Sequence, residues 1–435
     1  MNPKHSLFVL LLLASLCTSA QENSPFSRYG LGDPYPNQNI VTRGMGGIGS
    51  TYANGQSINF SNPASYSELS IVTYDIGLTL DSRTLRSADP IQKYKSVNLT
   101  PSYVALGMPL SKKHKLGLAF GLRPLTKISY SIEERKRVPA DSLLNIYEGE
   151  GGLYEAFVGI GKTWGGLHIG FNTGVMFGSK ENNTRVVPID SVYTYMSNSA
   201  TNTSYNKLLF NAGLQYEAKL SNTASLRFGF AGNLKQSLNA KKQSTRETFT
   251  YDANGAEITI DTVFQSEEES GKIQLPASYS AGMSFNTYIV DRLGGKIERS
   301  AISVEYETTN WTDYRFFGQP DKLINSYLFK VGASLTPNPL SITSYWNRAT
   351  YRAGFYFGKD AVNADGNELP VYALTLGAGL PIRKWSMYDN QYTIINTTFE
   401  IGKRGNKNNN ITESFFRFSL GLNLSDIWFK KRKYE

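Results

Sequence analysis

Side chains that could perform covalent, metal or proton chemistry are few in this chain and poorly placed for it. There are three histidines, His5, His114 and His168, and one cysteine, Cys17. His5 and Cys17 both fall within or beside an apolar N-terminal run, which leaves two histidines far apart in sequence. A transition-metal site needs three or four converging nitrogen or sulfur ligands, and this set does not supply them. No HExxH, P-loop or GxSxG pattern is present. Gly159-Ile160-Gly161 sits in a strand-like alternation with no helix behind it, so it is not a dinucleotide fingerprint. His168 beside a serine is the one hydrolase option, and a lone inward histidine is more often a satisfied polar side chain. The expectation is a protein that is not an enzyme and carries no cofactor and no metal.

The formal charge is +9, from 45 basic against 36 acidic residues. The bases are spread along the whole chain without an aromatic-interleaved cluster, which argues against nucleic acid as a partner. Attraction to outer-membrane lipid headgroups or lipopolysaccharide is the better use of this charge.

The elements that must carry these side chains begin with an export signal. Met1-Asn2-Pro3-Lys4-His5, an apolar run from Leu7 to Leu16, and Thr18-Ser19-Ala20 give the basic, apolar and small-residue regions of a secretory signal. The run is too short for a transmembrane helix, which needs about 20 residues. Cleavage is expected after Ala20, so the units are a signal peptide at 1–20, an N-terminal segment at 21–70 and the remainder at 71–435. A lipoprotein reading would make Cys17 the lipidated residue, but Leu16 is larger than such sites accept.

Beyond the signal, strict alternation dominates. Phe416, Phe418, Leu420, Leu422 and Leu424 interleave with Arg417, Ser419, Gly421 and Asn423. The pattern repeats at Leu116–Arg123, Leu167–Phe177 and Leu226–Lys235. Alternate side chains of a strand point to opposite faces, so one face is apolar and the other is glycine-rich or polar. Segments near ten residues suit a tilted membrane strand, whereas strands of a soluble sandwich average about five or six. Such segments are expected at 71–81, 96–109, 114–132, 147–162, 165–178, 203–220, 223–239, 271–287, 300–313, 325–337, 345–358, 368–381, 391–403 and 411–424. The reading is all-β: a 14-stranded antiparallel transmembrane β-barrel. Short links at 110–113, 163–164 and 221–222 alternate with polar links at 179–202 and 240–270, as periplasmic turns alternate with outer loops. Inward positions carry mixed charge at Arg123, Glu217, Arg227, Glu305, Glu307, Arg352, Glu400 and Arg417. These charges can pair and hold a plug or line a polar pore.

Residues 21–70 are too apolar for a simple tail. Arg43-Gly44-Met45-Gly46-Gly47-Ile48-Gly49-Ser50-Thr51-Tyr52-Ala53, followed by Ser57-Ile58-Asn59-Phe60-Ser61-Asn62-Pro63-Ala64-Ser65, resembles the N-terminal hatch of the FadL family. Ser65 departs from the glycine that often follows Asn-Pro-Ala there. The basic tail at 426–435 departs from barrels that end on an aromatic residue and resembles relatives from the Bacteroidetes. The resemblance implies an N-terminal hatch (plug) inside a fourteen-stranded barrel of the Gram-negative outer membrane. It further implies passive uptake of hydrophobic compounds such as long-chain fatty acids. Gly44, Gly46, Gly47, Asn62, Pro63 and Ala64 are the hatch motif. Met45, Ile48, Ile58, Phe60 and Tyr356 are candidates for an apolar ligand pocket. A wall opening needs a strand to lose ladder pairing, and Pro101 and Pro276 are candidates for it.

Two other roles fit the same fold. In one, the barrel is an accessory or carrier subunit of a secretion or assembly complex, with other outer-membrane proteins as partners. A lumen sealed without an apolar pocket would favour it. In the other, an open polar lumen makes a plain diffusion channel.

Overall fold

The computed structural model describes residues 24–139, 141–190, 195–290, 295–364, 366–383 and 392–426; the expected signal peptide lies outside them. Fourteen antiparallel wall strands follow one another around the barrel. They are β1 (Val72–Ser87), β2 (Gln92–Ser111), β3 (Leu116–Val138), β4 (Asp141–Trp164), β5 (Leu167–Pro188) and β6 (Met196–Lys219). β7 runs Ala224–Asn233 and resumes at Gln236–Tyr251, and β8 comes in three pieces, Glu257–Gln265, Glu269–Leu275 and Ser278–Val290. They are followed by β9 (Lys296–Thr309), β10 (Ser326–Leu335), β11 (Thr350–Lys359), β12 (Pro370–Arg383), β13 (Tyr392–Arg404) and β14 (Ile411–Asp426). β14 pairs with β1 from Ile411↔Ser87 to Asp426↔Val72, which closes the wall. Closure of the ring is what lets a sheet stand in lipid.

The burial pattern is inverted relative to a water-soluble sheet. Phe171, Phe210, Phe230, Phe355 and Phe399 are exposed on the outside, while His168, Asn172, Gln215 and Arg227 are buried inside. A soluble sandwich would place these two sets the other way round. An apolar outer band around a polar interior is the pattern of an outer-membrane barrel.

The wall is uneven in height. β4 and β5 pair without interruption from Leu143↔Pro188 to Trp164↔Leu167, roughly 70 Å of strand at about 3.3 Å per residue. β10 and β11 have ten residues each, about one membrane crossing. The ladders of β5, β6, β7 and β8 therefore continue through 179–188, 196–202 and 240–265, where the sequence had suggested polar loops. These extensions rise past the apolar band, so neither face needs apolar side chains and hydropathy gives no alternation. Their threonines, including Thr245, Thr248, Thr250, Thr259 and Thr262, still favour extended backbone.

Residues 24–71 occupy the lumen. They comprise a 3-10 turn at Pro25–Arg28, a bridge at Asp33–Pro34, one helical turn α1 (Ile40–Arg43) and a 3-10 turn at Pro63–Glu68. Asn39 starts α1 by accepting from the Thr42 amide at 2.9 Å. Asn62 starts the second 3-10 turn with Pro63 at its first position, where the missing N–H costs nothing.

Candidate functional site

The hatch lies directly on the wall because the wall presents glycine to it. Gly117↔Gly161, Gly161↔Gly170 and Gly170↔Gly213 are successive cross-strand pairs on β3 to β6. A β-carbon at Gly117, Gly161 or Gly170 would strike the backbone of Pro63, Ala64 or Tyr66. On the far side Gly332 pairs with Gly354, and a β-carbon on either would strike Met45 or Gly46. The glycine face read from the sequence is thus a seat for backbone. Side-chain bulk there would exclude the hatch.

Polar side chains of the wall then bond the hatch main chain. Glu305 accepts from the Gly49 and Ser50 amides at 2.8 and 2.6 Å. Lys330 donates to the Gly47 carbonyl at 3.1 Å and is paired with Glu305 at 2.9 Å and with Glu307. Thr375 accepts from the Gly46 amide, Thr398 donates to the Ile40 carbonyl, and Asp75 accepts from the Ile58 amide and the Tyr103 hydroxyl. Arg43 of the hatch donates to Thr79 at 2.8 Å. The inward charges pair mostly with neighbours in the wall: Arg123 with Glu155 at 2.6 Å, Arg227 with Glu217 at 2.8 Å, Arg417 with Glu400 at 2.7 Å.

The expected site residues separate into groups. Gly46 and Gly47 have φ of +71° and +79°, backbone that other residues rarely adopt. Gly44 packs on Gly377. Asn62 is fully buried; its Oδ1 accepts from the Ala64 amide at 3.1 Å. Its Nδ2 donates to the carbonyls of Ser50, Leu214 and Phe230. Pro63 rests on Gly161 and Gly170. Ile58 and Phe60 join Ile40, Tyr66, Tyr103 and Phe157 in a filled core, with the Arg123 guanidinium 4.7 Å from the Phe60 ring centre. Met45 and Ile48 are buried against β8 to β10, where the residual cavity is only about 10 Å³. Tyr356 stands apart, donating to Glu400 at 2.7 Å. The described structure therefore spends the four hatch hydrophobes on packing and does not gather them with Tyr356 in one pocket.

Tyr356 instead faces an outer vestibule of about 280 Å³ above the hatch. Tyr35, Trp311, Leu328 and Phe415 are its large apolar lining residues. Arg83, Lys330, Arg404 and Arg417 line it together with Asp33, Glu307, Glu400 and Glu413. Asp33 is the hub: Arg83 donates to one carboxylate oxygen at 2.7 Å and Arg404 to the other at 2.8 Å. Burial alone would raise the Asp33 carboxyl, but Arg404 and Arg83 hold it well below the usual range. Sequence reading missed this cluster because Asp33 lies 50 and 371 positions from Arg83 and Arg404, and no local spacing marks it.

The wall has two interruptions. β2 pairs with β3 only from Val104↔Leu122 to Ser111↔Leu116, so the two strands part above that point. Pro101 lies on β2 just past the parting, beside a register slip at Gly77/Leu78. The hatch fills the seam: Asp33 and Pro34 pair with Lys127 and Thr126, and the Tyr35 amide donates to Leu125 O at 2.8 Å. The Tyr35 hydroxyl bonds Thr100 at 2.7 Å on the other side of the seam. Pro276 lies in the second break, between two pieces of β8 and next to the break in β7. There Asn233 donates to the Pro276 carbonyl at 3.2 Å, and Gln236 both accepts from the Phe210 amide and donates to its carbonyl.

His168 is a clamp. The same ring nitrogen, Nδ1, faces Ser67 at 2.9 Å and Thr163 at 2.8 Å, with Glu68 at 3.5 Å. A hydrolytic triad needs nucleophile and carboxylate on opposite ring nitrogens.

The family model for BamG matches residues 3–435. The chain belongs to the BamG family. No curated protein matches it. Among solved structures it resembles the Pseudomonas putida toluene transporter TodX, with TM-score 0.56 and 15% identity over 90% of this chain and 98% of that one. It resembles a Pseudomonas aeruginosa FadL homologue at TM-score 0.54 and 12% identity over 89% and 98%. For the CymD monoaromatic hydrocarbon channel the values are 0.51 and 15% over 92% and 99%. At these identities the likeness establishes the fold: this BamG-family chain is a fourteen-stranded FadL-type barrel.

Proposed function

We propose that this protein is an outer-membrane barrel that works, with its lumen shut, as a subunit of a larger outer-membrane secretion or assembly complex. The observation that carries the reading is the way the lumen is closed. The hatch is bonded to strands all around the wall, its apolar residues are consumed in packing, and the seam at β2–β3 is filled by paired backbone. On this reading the short-turn end faces the periplasm and the tall strands stand outside. A cleaved signal at 1–20, contact with outer-membrane lipid or lipopolysaccharide, and kinship with Bacteroidetes relatives complete it. No catalytic step is involved.

A second reading has its own support. The outer vestibule has large apolar lining residues and adjoins the β2–β3 seam, where Asp33, Pro34 and Tyr35 line both. Passive uptake of hydrophobic compounds, long-chain fatty acids among them, would run from vestibule through seam to the bilayer if Asp33–Tyr35 withdrew. Toluene transport is what TodX is named for, and the shared fold makes the comparison apt.

Native purification from outer membranes, with identification of co-purifying proteins and extracted lipids, separates the two. Stoichiometric protein partners with no retained ligand support the subunit reading. A retained fatty acid or hydrocarbon without partners, lost when Tyr356 or Phe415 is changed, overturns it in favour of uptake.

A further inference from the structure

The tall part of the wall ends in an open edge. β7 pairs with the first piece of β8 from Tyr251↔Glu257 to Thr245↔Gln265. On the opposite side, β9 meets β8 only from Ser278 downward, and the two-residue strand Arg315–Phe316 covers Gln274 and Ile273. Among the described residues nothing pairs with that side of Glu257–Gln265, and all nine of its residues are exposed. An unpaired row of N–H and C=O groups is a template for another strand, and proteins normally blunt it with charge, proline or bulges.

The two free edges of the tall wall differ in this respect. β3 carries Glu133, Glu134, Arg135, Lys136 and Arg137 in succession, a charged and therefore blunted edge. The β8 edge reads Glu257-Ile258-Thr259-Ile260-Asp261-Thr262-Val263-Phe264-Gln265, with charge only at Glu257 and Asp261 and with two bulges as its remaining protection. Register slips between Thr259 and Asp261 and between Thr262 and Phe264 leave Ile260 and Val263 without partners on β7, and Val263 is 66% exposed. Ile258, Ile260, Val263 and Phe264 are all exposed on this segment, while its other edge is used in pairing with β7.

Charge indicates what should cover them. From Asp252 to Glu269 there are six carboxylates and no lysine or arginine. Glu268 and Glu269 are paired with Lys241 and Lys242 on β7, and Glu257 with Arg185 on β5. Asp261 and Glu267 have no ion pair among the described residues. The free edge is thus both apolar and acidic.

We infer that the β8 edge, Glu257–Gln265, is a docking strand for an extended segment of a partner protein that carries alternating apolar and basic side chains. Added main-chain hydrogen bonds supply affinity, and the Ile258, Ile260, Val263 and Asp261 side chains supply selectivity. The inference rests on the subunit reading and specifies where on the outer surface the partner binds.

The test uses the full chain in its own outer membrane. Amide hydrogen exchange over 257–265 is compared between the native complex and the chain stripped of partners. A photo-reactive residue is placed at Val263, with one at Glu134 on the blunted edge as control. The expected result is exchange slowed about tenfold or more in the complex, and a cross-link from position 263, not 134, to a basic and apolar segment of the partner. The double variant Ile260→Lys, Val263→Lys is expected to lose both while its barrel still migrates as a folded species before heating. A partner that stays bound with no protection of 257–265, or that survives the double variant, overturns the docking strand and leaves the subunit reading standing. No partner at all overturns both. Protection that comes from a second copy of this chain overturns the heterologous partner.

Discussion

At the scale of single residues, Asn62 is both cap and clamp. Its oxygen accepts from Ala64 while its amide donates to three carbonyls on the hatch, β6 and β7. Asn62→Ala should loosen the hatch by about 1–3 kcal/mol, the cost of a lost cap together with buried unpaired carbonyls. Asn62→Asp should be worse than alanine, because it keeps the cap but turns a buried negative charge toward those carbonyls. Limited proteolysis within 24–71 at rising urea measures both, and an aspartate variant milder than alanine would remove the clamp. Lys330→Met strands Glu305 and Glu307 side by side without their cation. Breaking a buried pair in this way costs about 3–5 kcal/mol, so the variant should expose the hatch to protease without unfolding the barrel. Asp33 sets an acid limit. Its folded value lies below its unfolded one, so its contribution is complete above an unfolded pKa of about 4 and is lost as pH falls through the folded value. The Asp33 contribution to hatch protection should be complete above about pH 4 and decline below it, and Asp33→Asn should remove that part of the decline.

The elements owe their fit to side chains that are absent. Gly117, Gly161, Gly170 and Gly213 lie in adjoining registers of four strands, and the Asn62–Tyr66 backbone runs over them. Gly170 sits mid-strand with partners on both sides, so valine there would suit the ladder and raise strand propensity. Its β-carbon has no room beside Pro63 and Ala64. Gly170→Val should therefore leave a folded, heat-modifiable barrel whose hatch is displaced. Planar-bilayer recordings should show steps of conductance that the parent lacks, and a silent, protease-resistant variant would sink the argument.

For the molecule as a whole, closure and asymmetry are the features with consequences. The wall closes through β14 and β1, the lumen is filled, and the polar interior is largely paired with itself. The parent protein should be electrically silent, and removal of 24–71 should open it. The tall half of the wall, β3 to β8, ends in one edge dense in charge of both signs and one that is apolar and acidic. That asymmetry directs association to one side of the barrel.

The alternation of apolar with small or polar residues determined the fold class from sequence alone, because lipid outside and a hatch inside impose opposite demands on neighbouring positions. Strand number followed from it. The turn at Asn62-Pro63-Ala64 was legible because its backbone demands are local, whereas the hatch was expected from the resemblance to the FadL family. The tall extensions at 179–188, 196–202 and 240–265 were not legible, since strands with water on both faces leave no hydropathy signature. Only the tertiary structure decided that Met45, Ile48, Ile58 and Phe60 would be spent in packing, and that Asp33 would meet Arg83 and Arg404. Those meetings join residues separated by tens to hundreds of positions, and local spacing carries no record of which partner a buried charge will find.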